Sequence, residues 1–153
     1  MWALLLFYPV EAAVLAFLGL ALLGIKPGLK KILTIGVLQG IAVFLIRNIY
    51  RYYDIQLGTH IFFTLAAMII IVRYVSRIGW GEASAAAILA FIVLAVDETI
   101  GLPVTLNMVG INFKTSVNNS FWHIVIAYLG EIPIYIMAFI VGFTNFSLFK
   151  LKL

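Results

Sequence analysis

The chain has 153 residues, of which 65% are hydrophobic and 10% charged, and its mean hydropathy is +1.17. Soluble domains carry roughly 25% charged residues, so the composition excludes an ordinary soluble fold and points to one integral membrane domain over residues 1–153, an all-α polytopic bundle. The net charge of +4 comes from Lys and Arg clustered beside apolar segments, the pattern of topology signals and not of a nucleic-acid stripe, and the absence of cysteine excludes disulfides and thiolate metal sites.

The first apolar segment covers residues 2–24 and contains Pro9 and Glu11. It lacks a basic leader and exceeds signal-peptide length, so it reads as a retained helix. Gly24-Ile25-Lys26-Pro27-Gly28 forms a turn, because Pro cannot continue a helix and Gly supplies unusual backbone angles. A second span over 31–50 holds Gln39 and Arg47, and Arg51-Tyr52-Tyr53-Asp54 follows as an aromatic, polar boundary. The third span, 58–75, opens with His60 and Thr64 and exits between Arg73 and Arg77.

Gly79-Trp80-Gly81-Glu82 is the next turn, and the fourth span covers 83–100. It begins with the small-residue run Ala83-Ser84-Ala85-Ala86-Ala87, which permits close helix approach in lipid. Residues 101–119 form the longest polar segment, with the moderately apolar 104–113 portion expected at the interface or dipping back in. A fifth span is expected over 120–143 and a short tail over 146–153. About 20 residues suffice to span a bilayer, so five spans leave only short loops.

Placing the first loop, third loop and tail on one side groups Lys26, Lys30, Lys31, Arg73, Arg77, Lys150 and Lys152 against Arg47, Arg51 and Lys114. The excess places the first group in the cytoplasm, the amino terminus outside and the carboxyl terminus inside. In that frame Arg47, His60, Asp97, Glu98 and His123 sit near the outer ends of their spans. Glu11 and Glu131 lie about ten residues from theirs, roughly 15 Å in at 1.5 Å per residue.

An ionisable group at the centre of a bilayer costs about 2.5–3.5 kcal/mol on insertion scales. Depth therefore demands of Glu11 and Glu131 a proton, a polar partner or a water-filled cavity. Pro9 precedes Glu11 by two residues and Pro133 follows Glu131 by two, and proline-bent helices often flank pockets. Arg47 has two readings, a snorkelling side chain or the counter-charge of a carboxylate. His60 and His123 are shallow enough to be interface residues. Asp97 and Glu98 are adjacent and point about 100° apart, so one faces the bundle while the other caps or reaches water.

No His-Glu-x-x-His motif, serine-nucleophile motif or glycine-rich phosphate loop occurs, so neither catalysis, a metal nor a cofactor is expected. Asn118-Asn119-Ser120 matches a glycosylation sequon, a pattern frequent by chance.

Glu11, the run Leu18-Gly19-Leu20-Ala21-Leu22-Leu23-Gly24-Ile25-Lys26-Pro27, then Leu45-Ile46-Arg47, Gly58-Thr59-His60 and Glu98 follow one another along the first hundred residues. In that order they resemble the membrane-embedded amino-terminal region of certain Firmicutes sensor histidine kinases, those with a GHKL-type ATPase domain. The resemblance implies a polytopic input domain that senses outside and signals to cytoplasmic helices. The 153 residues hold no phospho-accepting histidine helix and no ATP-binding domain. Either a free-standing sensor-like protein or an input domain cut from its kinase is therefore expected.

The leading expectation is a multi-pass protein of a bacterial inner membrane, a sensor or regulator. Its outward polar pocket detects a small ligand, a peptide or protons, and its partners are the lipid bilayer and a cytoplasmic or membrane signalling protein, with homo-oligomers open. Glu11, Arg47, His60, Glu98 and Glu131 are its candidate residues, with Asp97 and His123 secondary. The rivals are a small permease or channel subunit that moves cations or protons on its buried carboxylates, and a structural subunit of a membrane complex.

Overall fold

The computed structural model describes residues 2–55, 57–110, 125–126, 128–144 and 146–148, with the side chains of 2–6, 57 and 102 left aside. Its elements are α1 (Trp2–Leu22), α2 (Leu29–Tyr52), a 3₁₀ turn (Leu57–Thr59), α3 (His60–Ser76), α4 (Trp80–Val109) and α5 (Ile132–Thr144). No strand occurs among the described residues. α2 and α4 are each long and apolar enough to cross a membrane, whereas Phe7–Leu22, α3 and α5 are shorter apolar helices.

α1 is apolar around nearly its whole circumference, and such a helix belongs inside. Leu18 and Leu20 on opposite sides of it are fully buried. It packs against α2, α4 and α5, while α2 meets α3 and α3 meets α4. Helices α1 to α4 thus close a ring, and α5 lies outside it against α1 and α4.

Small residues set the closest approach. A Cβ added at Gly36 would lie 2.5 Å from the Pro9 carbonyl oxygen and 2.6 Å from the Ala13 Cβ, and one at Gly40 would meet Pro9 Cγ at 2.6 Å. Gly36 and Gly40 form a small-xxx-small pair, the arrangement that lets helix backbones touch. Gly19 of α1 meets the Ala86 carbonyl of α4 in the same way. α1 stays helical through Pro9, whose ring serves as the surface α2 packs on.

Two connections are short and capped. After α1, Gly24 takes a left-handed φ of 79°, its N–H bonds to the Ala21 carbonyl, and the Ile25 N–H reaches the Leu20 carbonyl. This is a Schellman stop, with Ile25 buried against the core. The 79–82 segment is the start of α4, since Glu82 Oε2 accepts the Gly79 N–H at 2.7 Å and caps the first turn.

Two expectations change. α4 does not end near residue 100 but runs through Pro103 to Val109, where Gly110 at φ 68° stops it. Residues 101–109 of the supposed polar segment are therefore helix. The run of helix breaks with a turn at Glu131 before α5 begins, close to Pro133, which has no N–H to donate. Residues 111–124, with Lys114, the sequon and His123, lie outside the described residues, as do Lys150 and Lys152.

One end of the bundle gathers the α1–α2 turn, the α3–α4 turn and the segment after α5. Lys31 Nζ donates to the Ser76 carbonyl at 3.3 Å, and the Leu148 N–H donates to the Leu22 carbonyl at 2.8 Å. Lys26, Lys30, Lys31, Arg73 and Arg77 belong to this end.

Candidate functional site

The four ring helices each turn one face toward a common space near the other end. α1 contributes Tyr8, Glu11, Ala12 and Leu15, and α2 contributes Gln39, Val43 and Arg47. From α3 come His60, Ile61, Thr64 and Met68, and from α4 Phe91, Leu94 and Glu98. The spacings of three, four and seven residues are those of a single helical stripe. Together they enclose a cavity of about 130 Å³.

Burial grades the cavity from rim to floor. Arg47 and Glu98 are exposed and mark the mouth, while Glu11 and His60 are half-buried. Gln39, Thr64 and Met68 are 3%, 5% and 2% exposed. Met68 also belongs to the apolar cluster of Leu20, Leu23, Ile35, Val72, Ala83 and Ala86. The polar space therefore ends on a packed apolar core that continues toward the basic end.

Polar contacts fix the lining. Gln39 Nε2 donates to the Thr64 carbonyl at 2.9 Å, which leaves its Oε1 buried without a partner. His60 Nδ1 is likewise buried and unpartnered, and Thr64 Oγ1 donates to the Ile61 carbonyl at 2.9 Å. Arg47 Nη1 donates to the Tyr8 hydroxyl at 2.9 Å, and its guanidinium carbon lies 5.0 Å from the Tyr8 ring centre. The direct partner of Arg47 is thus an aromatic hydroxyl with a cation–π contact, and Glu11 lies within its electrostatic range.

Of the candidate residues, Glu11, Arg47, His60 and Glu98 line this one cavity. Glu131 does not. It is buried beside α5, where Tyr135 donates its hydroxyl to Glu131 Oε2 at 2.6 Å. Asp97 is buried too and faces away from the cavity, since a Cβ on Gly101 would meet both Asp97 Oδ1 at 2.9 Å and the Gly130 carbonyl at 3.0 Å. Asp97 and Glu98 thus divide, one into the bundle and one to the mouth. Glu11 still feels the charges of Glu131, Glu98 and Asp97 as well as Arg47, so one arginine stands among four carboxyl groups. Among the described residues no three His, Asp or Glu side chains come together to hold a metal.

The sequence reading named Gln39 and Thr64 without assigning them to the site and passed over Tyr8. The Gly36 and Gly40 spacing was the available signal, because it draws α2 onto α1 and carries Gln39 into the same layer as Glu11. Comparison with family models, with curated proteins and with solved structures finds no match to this chain.

Proposed function

We propose that this is a bilayer-embedded sensor or regulatory protein of five spans. Its pocket, open at the outer end, takes up a small ligand or protons and passes its occupancy to a partner at the cytoplasmic, basic end. Support for the bilayer comes from the outward faces: Leu33, Val37, Ile41, Leu45 and Ile49 on α2, and Ile88, Ile92, Val96 and Ile100 on α4, are all exposed. Contiguous apolar surface on that scale marks an interaction with lipid or protein.

The observation that carries the reading is the floor at Met68. A transporter needs a polar path through both halves, whereas here the polar residues give way to fully packed Val72, Ala83 and Ala86. A dead-end cavity binds and does not conduct. At about 130 Å³ it admits a few non-hydrogen atoms, so a peptide would enter only by one end group.

Reconstitution in sealed proteoliposomes provides the test. Under an imposed proton or potassium gradient, flux is expected to equal that of protein-free vesicles. Flux that is lost in Glu11→Gln would replace binding with transport.

A further inference from the structure

We infer that the cavity selects a small organic cation, an ammonium-bearing molecule of short-alkylamine bulk, over an anion or a neutral solute; this rests on the pocket being a binding site. Three observations converge. Glu11 and Glu98 line the space, and Arg47, the cation at its rim, is turned onto Tyr8. The lining therefore offers two carboxyl groups with no positive partner in direct contact.

Gln39 supplies the second observation. Its amide nitrogen must face the Thr64 carbonyl, because only the nitrogen can donate. The oxygen is thereby fixed as an acceptor, and it stands without a partner on a side chain that is 3% exposed and lines the cavity. A buried acceptor calls for a donor. An ammonium brings three donors and a charge, a carboxylate brings none, and an alcohol brings one donor without the charge.

Size is the third. A cavity of roughly 150 Å³ in another protein holds benzene, so about 130 Å³ suits a molecule of four to six non-hydrogen atoms by the same measure. Leu15, Met68, Phe91 and Leu94 give the alkyl part an apolar wall.

Methionine-methyl carbon-13 NMR of the full chain in nanodiscs tests this directly. Met68 lies on the cavity floor, and Met108, 83% exposed, serves as the internal control. The Met68 signal is assigned by its loss in Met68→Leu. The probes are butylammonium, butanoate and butanol, matched in bulk. Butylammonium is expected to shift Met68 saturably and to leave Met108 in place, with the other two at least about tenfold weaker, as charged hydrogen bonds imply. Glu11→Gln and Gln39→Leu are each expected to weaken butylammonium about tenfold, and Glu11→Gln to leave butanol unchanged.

Butanoate or butanol binding as tightly as butylammonium would overturn the cation assignment and keep the pocket. If no probe moves Met68, both the cation assignment and the binding reading fail. Equal butylammonium affinity in wild type and in both variants would show that the cation is held elsewhere.

Discussion

Gly36→Ala adds one methyl group where α2 rests on α1. The new Cβ would lie 2.5 Å from the Pro9 carbonyl oxygen and 2.6 Å from the Ala13 Cβ, against an ordinary contact of at least 3.4 Å. The helices must therefore separate by about 0.8 Å or more at this point. Both opposing atoms are backbone or bound directly to it, so no side-chain rotation relieves the clash. Overpacking of this kind costs about 1–3 kcal/mol, and replacing Gly by Ala in a helix returns up to about 1 kcal/mol.

With no side chain free to move, the cost falls at the upper end of that range, and the net expectation for Gly36→Ala is a loss of about 2 kcal/mol. Gly81→Ala is the matched control, since a Cβ there meets nothing within 4 Å. It keeps only the propensity gain and is expected to stabilise by up to about 1 kcal/mol. Thermal unfolding in one detergent compares the two, at about 2–4 °C per kcal/mol for a chain of this size. A Gly36→Ala protein as stable as wild type, or more so, would refute the close α1–α2 packing.

Tyr135→Phe removes the donor to Glu131 Oε2 and leaves a buried carboxyl oxygen unpartnered. It is expected to cost about 1–3 kcal/mol, with a double-mutant cycle against Glu131→Gln showing coupling between the two positions. Met68→Ala deletes a 2%-exposed side chain at the pocket floor. Denaturation in detergent should show a loss of about 2–5 kcal/mol.

Much of the site was legible because a charged residue in an apolar helix has few places to go. Arg47, His60 and Glu98 fall near the outer ends of three helices and Glu11 deeper on a fourth, and the ring that joins those helices brings them onto one cavity. Glu131 matched Glu11 in depth but not in azimuth. It lies on the element packed outside the ring, and depth alone carries no information about azimuth. The end of α4 was misplaced because residues 101–119 read as one polar segment, yet Gly101 is where the backbone near Gly130 approaches α4. Local signals marked a tertiary contact as a helix stop.

The central claim is a polar pocket that opens at one end and stops at Met68. Single-cysteine labelling tests it most directly, since the chain has no cysteine of its own. Val43→Cys on the cavity wall, Val72→Cys in the core and Arg77→Cys at the basic end would each be exposed to a membrane-impermeant charged thiol reagent in sealed vesicles of both orientations. The expected result is labelling of Val43→Cys from the outer side alone, of Arg77→Cys from the inner side alone, and of Val72→Cys from neither. Labelling of Val72→Cys, or of Val43→Cys from both sides, would show that the polar space continues through the bundle and would contradict the account.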